Sequence, residues 1–227
     1  MKRYISDQHF FSEKVMTTMD HRPFPTVEEM NEYMISQWND TVKGGDQIFI
    51  LGDMFDWQHV QNAGEINRVL HRLKGKLYLI RGNHDFTWLN KPEIDLSRFV
   101  WIDSMREIDD GDRKVIMNHF PMPVFGGNHL KRKDGSPKIW DLYGHVHDTA
   151  EAQFMYDIQE MGASRPFIIR KSGDMDTMAC NMINCFCMYS DYRPLSLESW
   201  IELHEQRIAA RKHSRDVRRD FSHNAGH

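Results

Sequence analysis

Short apolar runs that end in polar, glycine-containing clusters recur along this chain and constrain its fold more than any other feature. Residues 47–51 and 76–80 are two such runs, and each is followed within two residues by glycine and then by Asp53 or Asn83. Apolar residues at helical spacing separate the runs and predict helices at residues 26–42 and 63–73. Strands that alternate with helices predict an α/β fold, with helices layered on a sheet.

The remaining segments extend the same pattern. Further strands are predicted at residues 2–6, 99–102, 105–108, 114–117, 139–143 and 179–188, and a last helix at 197–212. The sequence shows no internal repeat and no linker, so we expect a single domain over residues 1–227. The polar stretch 148–178 is predicted to be an insertion or lid, and the residues from about 211 a flexible tail.

The net charge and the distribution of charged residues bear on whether the protein binds nucleic acid or membranes. The formal net charge of −4 gives no general reason to expect binding to nucleic acid or to a membrane surface. No apolar run has the length of a membrane span, and the first residues become charged too early for a signal-peptide core. Arginines near the end alternate with acidic residues, which favours a solvated helix face over a nucleic-acid contact. We therefore expect a cytoplasmic protein.

Polar clusters follow the predicted strands at the positions where α/β sheets gather their functional side chains. Residues two apart point to the same side of an extended chain, so neighbouring Asp and His residues can converge on one ion. A Gly-Asn-His-Asp sequence is expected on the order of 0.004 times by chance at this composition. The clusters are Asp7-Gln8-His9, Gly52-Asp53-Met54-Phe55-Asp56, Gly82-Asn83-His84-Asp85, Asn118-His119 and Gly144-His145-Val146-His147.

This ordered set of motifs resembles the calcineurin-like metallophosphoesterase superfamily. Segments outside the motifs, such as Arg22-Pro23-Phe24, resemble its small bacterial and phage-type members. The resemblance implies a metallophosphoesterase-type β-sandwich flanked by helices, with a dinuclear metal site along one edge. In the most similar members Phe-Gly-His commonly follows the first motif, whereas this chain has Phe10-Phe11-Ser12, and the departure bears on substrate contacts nearby.

The resemblance also implies a role for each motif residue. One metal ion would be held by Asp7, His9 and His147, and the other by Asn83, His119 and His145, with Asp53 bridging the two. Among divalent ions, Mn²⁺ is expected first, while Fe, Zn²⁺ and Ni²⁺ also suit nitrogen and oxygen donors. His84 would be the catalytic histidine and Asp56 the carboxylate that orients it.

The implied reaction is hydrolysis of a phosphomonoester or phosphodiester by a water that bridges two divalent ions. The substrate would be a phosphorylated small molecule or a nucleotide. Arg22 and Arg81 are candidates for binding its phosphate, because guanidinium groups match phosphate oxygens, and ordinary salt bridges are the equal alternative. Two other functions stay open: a nuclease acting on DNA or RNA, and a non-catalytic metal-binding scaffold. His84 and Asp56 argue against the scaffold, because it has no chemical need for them.

Overall fold

The protein folds into two four-stranded sheets with helices on their outer faces. The computed structural model describes the backbone of residues 1–59, 62–168 and 173–224, and the side chains of these residues except at 59, 167 and 215–224. The α/β sandwich expected from the sequence is confirmed.

The first sheet is entirely parallel and contains the amino-terminal strands in chain order. Its strands are β1 (Lys2–Ile5), β2 (Gln47–Ile50), β3 (Lys76–Ile80) and β4 (Phe99–Asp103). The helices of this half are α1 (Val27–Thr41), α2 (Ala63–Arg72) and the short α3 (Phe86–Leu89). Thr26 caps α1: its hydroxyl accepts a hydrogen bond from the Glu29 N–H at 3.1 Å.

The second sheet has the order β10-β7-β6-β5, and only the β5–β6 pair is antiparallel. Its strands are β5 (Met105–Asp110), β6 (Arg113–Asn118), β7 (Ile139–Tyr143) and β10 (Met182–Asn184). Between β7 and β10 lie the helix α4 (Ala150–Ser164) and a hairpin of β8 (Pro166–Ile168) and β9 (Met175–Thr177). The last helix is α5 (Leu197–Asn224).

The first sheet is buried on both faces. Ile48, Ile50 and Leu77 belong to the core that includes α1 and α2. The alternate residues Phe49 and Tyr78 belong to a second core shared with apolar side chains of β6, β7 and β10 and with the start of α5. A parallel sheet buried on both faces explains why its strands are continuous apolar runs.

Two predicted elements differ from the observed ones. Of the strand expected at 179–188, only Met182–Asn184 forms, and the chain then turns into a 3₁₀ helix at Cys187–Ser190. The last helix continues past Lys212 to Asn224. The predicted insertion at 148–178 contains α4 and the hairpin, and its role as a lid stays a prediction. Among the helices of the described residues, none is long and apolar enough to cross a membrane.

The two sheets are joined at the end of β1. The Ser6 N–H donates to the Cys185 carbonyl at 2.9 Å, and the Cys187 N–H donates to the Ser6 carbonyl at 3.0 Å. This bridge places the carboxyl end of β1 beside the carboxyl end of β10. The clusters that follow β1, β2, β3, β6 and β7 therefore meet along one edge of the sandwich.

Candidate metal centre

The backbone at this edge is left-handed at residues that are not glycine. A positive φ at such residues costs roughly 1–3 kcal/mol and persists only where the surrounding structure enforces it. The clustering of this backbone marks the edge as a candidate functional site. The φ angles are 58° at Asp7, 49° at His9, 53° at Asp53, 70° at His145 and 47° at His147.

Motif glycines allow these loops to approach one another closely. A Cβ atom added at Gly82 would lie 2.1 Å from Asp53 Oδ1, and one at Gly144 would lie 2.5 Å from Asp7 Oδ2. Both distances are shorter than any Cβ contact can be. The glycines are therefore the residues that make room for the two carboxylates.

Asp7, His9 and His147 form the first donor group, and all three are buried. Their donor atoms lie within 4.8 Å of one another. The Nε2 atoms of His9 and His147 are 3.3 Å apart, and His147 Nε2 lies 3.7 Å from Asp7 Oδ1. The backbone N–H of His145 donates to the Asp7 carboxylate at 3.0 Å and holds it in place. Burial lowers the pKa of His9 and so keeps this imidazole neutral.

Asp53, His119 and His145 form the second group, again with donor atoms within 4.8 Å of one another. The side-chain oxygen of Asn83 joins them, at 3.1 Å from His119 Nε2 and 3.0 Å from His145 Nδ1. His119 Nδ1 lies 2.8 Å from the carbonyl of Leu51, which can only accept a hydrogen bond. Nδ1 therefore carries a proton, and Nε2 is the nitrogen that faces the group.

Asp53 lies between the two groups. Its Oδ2 is 3.2 Å from His119 Nε2 and 3.8 Å from His9 Nε2, while its Oδ1 accepts the His84 N–H at 2.8 Å. Burial opposes the charge on Asp53, but the hydrogen bond with His119 and the nearby charges of His119 and His9 together outweigh it and hold the pKa of the carboxyl well below its usual range. Burial likewise opposes protonation of His119, but the hydrogen bond with Asp53 and the charges of Asp7 and Asp53 together outweigh it and raise the pKa of the imidazole to about 9.

The donor set fits divalent metal ions. Imidazole nitrogens and carboxylate oxygens converge in a buried space, and the two Nε2 atoms 3.3 Å apart present lone pairs to each other unless a proton or a cation lies between them. A divalent cation satisfies these lone pairs and the neighbouring Asp7 and Asp53 charges together. Nitrogen and oxygen donors without thiolate suit first-row transition metals.

Asp85 holds the loops after β2 and β3 together. Its carboxylate accepts hydrogen bonds from the N–H groups of Gly82 at 2.7 Å and of Asp53 and Met54 at 2.9 Å, and from Trp88 Nε1 at 2.9 Å. Burial, together with the charge of Asp53, raises its pKa to about 6. The fourth letter of the Gly-Asn-His-Asp motif marks this residue in the sequence, but nothing there indicates its four bonds.

The sequence left open whether Arg22 binds a substrate phosphate or forms an ordinary salt bridge. The structure places it where it cannot contact a substrate phosphate. It is only 2% exposed. Its guanidinium donates to the carbonyls of Asp7 and Gln8 and to the carboxylate of Asp20. Asp20 in turn contacts His147, a connection that no motif in the sequence indicates. Burial opposes protonation of His147, but the hydrogen bond with Asp20 and the charges of Asp7 and Asp20 together outweigh it and raise the pKa of the imidazole.

His84 lies beside the donor groups, whereas Asp56 does not reach it. The His84 ring is half-buried and packs edge-on against the ring of His9, with centroids 5.1 Å apart. Asp56 accepts hydrogen bonds from Ser12 Oγ at 2.9 Å and from the Gln58 N–H at 3.2 Å. In the part of the chain that the structure describes, no hydrogen bond joins Asp56 to His84.

Two more side chains complete the surroundings. The Arg81 guanidinium donates to Ser104 Oγ and lies 5.3 Å from the ring of Phe86, so its contacts lie outside the donor groups. Phe120 follows the ligand candidate His119, and its ring centroid lies 4.6 Å from that of His145. Phe120 is 51% exposed, which leaves much of an aromatic surface open beside the donors. No motif in the sequence marks this residue.

Comparison with known proteins supports the motif assignment. Residues 4–105 match the family model described as calcineurin-like phosphoesterase. A curated relative, the uncharacterized protein MJ1445 of Methanocaldococcus jannaschii, is 27% identical over 202 residues, which are 89% of this chain and 90% of the relative.

One solved structure shows the same fold over most of the chain. A protein of unknown function from Aquifex aeolicus, AQ665, is 21% identical with a TM-score of 0.57, over 89% of this chain and 98% of that one. YfcE, a phosphoesterase from E. coli, is 18% identical over 64% of this chain and 69% of its own, and its TM-score of 0.28 is too low to carry a structural argument. In its motifs, and over residues 4–105, the chain is similar to the calcineurin-like phosphoesterase family.

Proposed function

We propose that the protein hydrolyses phosphoesters with two divalent metal ions, one in each donor group. The observation that carries the proposal is the position of Asp53, whose Oδ2 faces His9 at 3.8 Å and His119 at 3.2 Å. Two cations held close together need an anion between them, and a buried carboxylate supplies it. Among the described residues, Asp53 is the one carboxylate with an oxygen within 4 Å of an imidazole nitrogen of each donor group.

Asp7, His9 and His147 would hold one ion, and Asn83, His119 and His145 the other, with Asp53 shared between them. Two such ions, when bound, generate a nucleophile from water and stabilise the oxygens of the phosphoryl group. Mn²⁺ is the first ion to test, and Fe, Zn²⁺ and Ni²⁺ have similar preferences for these donors.

His84 supplies the acid of this mechanism. Its peptide N–H is bonded to Asp53 Oδ1 at 2.8 Å and its ring lies against His9, so the imidazole is fixed at the border of both groups. An imidazole in that place can donate a proton to the leaving oxygen or stabilise the charge that develops on it. Asp56 acts indirectly, because its bond to Ser12 holds the loop after β2 against the loop after β1.

The substrate class that fits the site is a phosphorylated small molecule with an aromatic group, such as a nucleotide. The half-exposed ring of Phe120 lies directly beside His145 and offers a surface on which a base can stack. Long nucleic acids are not favoured, because the net charge of −4 provides no general attraction for a polyanion.

Turnover of two chromogenic esters tests the proposal. Purified protein loaded with Mn²⁺, Fe²⁺, Zn²⁺ or Ni²⁺ is assayed with p-nitrophenyl phosphate and with bis-p-nitrophenyl phosphate. We expect hydrolysis that stops with a chelator and in Asp53→Asn, and the ratio of the two rates gives the preference for mono- or diesters. Folded, metal-loaded protein without turnover of either ester would exclude hydrolysis and leave the scaffold alternative, which a partner retained on pull-down would support.

Labelled single- and double-stranded oligonucleotides test the nuclease alternative with the same protein. Cleavage that disappears with the chelator and in Asp53→Asn would move this alternative to first place.

A further inference from the structure

A buried carboxylate lies directly behind one of the ligand histidines. Asp20 Oδ1 is 2.6 Å from His147 Nδ1, and the two side chains are only 3% and 4% exposed. The opposite ring nitrogen, Nε2, faces His9 and Asp7. An imidazole that donates its Nδ1 proton to a carboxylate keeps the lone pair on Nε2, and its ring cannot rotate away. Asp20 thus fixes both the tautomer and the orientation of His147.

The same carboxylate is tied to the loop that carries the other two ligands. Its second oxygen accepts from Arg22 Nε at 3.0 Å and from an Arg22 terminal nitrogen at 2.8 Å. The guanidinium also donates to the carbonyl of Asp7 at 2.9 Å and to that of Gln8 at 2.7 Å. It lies between the rings of Phe186 and Tyr192, at 5.8 and 5.6 Å from their centroids. One buried ion pair therefore connects the loop after β1 with the loop after β7.

Among the described residues, no carboxylate outside the two donor groups forms a hydrogen bond with the side chain of His119 or His145. Behind His119 the acceptor is the backbone carbonyl of Leu51, at 2.8 Å, which is neutral. A carboxylate behind a ligand histidine increases the electron density on the coordinating nitrogen more than a carbonyl does. The two groups therefore differ in what holds their histidines.

We propose that Asp20 and Arg22 are positioning residues for one metal ion only, the ion of Asp7, His9 and His147. Asp20 sets the Nδ1 proton of His147, and Arg22 neutralises Asp20 and fixes the carbonyls beside Asp7. The inference rests on the proposed metal-binding function, and metal binding is therefore measured directly and for each ion.

The proposal is tested by titrating the metal-free protein with Mn²⁺. Binding is monitored by calorimetry and by the electron paramagnetic resonance of Mn²⁺. The wild type should bind in two steps. In Asp20→Asn we expect one step to weaken by about 10–100-fold, the usual effect of removing such a partner, and the other to stay within a factor of two. Arg22→Lys, which keeps the charge but loses the forked geometry, should weaken the same step less.

Asp46→Asn is the matched control. Asp46 is also buried and paired with an arginine, Arg3 Nε at 2.9 Å, but it lies before β2, at the opposite end of the sheet. It should leave both binding steps unchanged. Equal binding in Asp20→Asn and wild type, or equal weakening of both steps, would overturn the inference, and if Asp20→Asn does not fold, Arg22→Lys decides by the same criterion. A wild type that takes up no metal would instead contradict the proposed function itself.

Discussion

At the scale of single residues, the site depends on glycines, which have no side chain, as much as on the metal-ligand candidates. Gly82 and Gly144 leave room for the carboxylates of Asp53 and Asp7 in a place that any side chain would fill. The sequence predicted the donors themselves, because each stands in a motif. It could not reveal Asp20, whose partner His147 is 127 residues away. Nor could it reveal the burial of Arg22, whose guanidinium lies against the distant rings of Phe186 and Tyr192.

Replacing Gly82 by alanine tests this close approach. The new Cβ would meet Asp53 Oδ1 at 2.1 Å and Asp53 N at 2.6 Å, so the shared carboxylate must move. We expect Gly82→Ala to lower the affinity for Mn²⁺ by at least about tenfold, the low end of what a displaced metal ligand or its partner costs. Gly126→Ala is the control, because its Cβ would meet nothing within 4 Å. Calorimetric titration of both variants gives the comparison, and similar affinities in the two would contradict the account.

A second prediction at this scale concerns Phe120 and the recognition of the substrate's base. Adenosine 5′-monophosphate and ribose 5-phosphate carry the same phosphomonoester and differ only in the base. Stacking of a base on an aromatic side chain contributes about 1–3 kcal/mol, so Phe120→Leu should raise the KM of the nucleotide roughly tenfold. Ribose 5-phosphate should be unaffected, and Phe120→Tyr should behave as the wild type.

Steady-state kinetics with both substrates provide the measurement. If either compound is not hydrolysed, its inhibition constant against p-nitrophenyl phosphate replaces the KM. An equal change for both compounds would mean that Phe120 supports the ligands and does not recognise a base.

At the scale of elements, apolar runs predicted the central strands well and the last one poorly. Residues 47–51 and 76–80 are apolar because both faces of the first sheet are covered. Residues 179–188 are similarly apolar for another reason: Phe186 packs on the ring of His147, with centroids 4.6 Å apart, and not within a strand. Periodicity cannot separate these causes. The last helix continues past Lys212 because no glycine or proline follows until Gly226.

Asp141 lies in the middle of the fully buried strand β7, and its ionisation makes the stability of the protein depend on pH. Asp141 accepts hydrogen bonds from Asn118 Nδ2 at 2.6 Å and from the Met122 N–H at 3.1 Å, and no lysine or arginine of the described residues forms an ion pair with it. Burial raises its pKa from 3.8 to about 8. The folded state thus favours the neutral acid. The stability that this provides is complete below pH 4 and is lost as the pH rises towards 8.

Asp141→Asn removes this dependence. Between pH 5 and 8 the unfolding free energy of the wild type should fall relative to that of the variant, by at most about 1.4 kcal/mol per pH unit. Urea denaturation of both proteins in the same buffers measures the difference between their unfolding free energies. The contributions of other titrating groups cancel in this difference. Parallel pH profiles for the two proteins would show that Asp141 does not titrate in this range.

At the scale of the whole molecule, the site exists because two sheets present the carboxyl ends of their parallel strands at one edge. The sequence predicted each cluster at the end of its strand, but the meeting of the sheets depends on long-range contacts. Ser6 bridges to the chain beyond β10, and Trp200 Nε1 at the start of α5 donates to the Tyr4 carbonyl at 2.8 Å. Such contacts have no local signal in a sequence.

Bound metal per chain, measured beside turnover in the wild type, Asp53→Ala and His84→Ala, tests whether the two donor groups bind the ions and His84 transfers the proton. The wild type should hold about two ions per chain and hydrolyse a p-nitrophenyl ester. Asp53→Ala should lose metal and activity together, because it removes the anion between the two groups. His84→Ala should keep its metal and lose activity by a factor on the order of 10²–10⁴, as expected for a general acid. His84→Ala protein that loses its metal, or that keeps nearly full activity, would contradict the assignment of binding to the two donor groups and of proton transfer to His84.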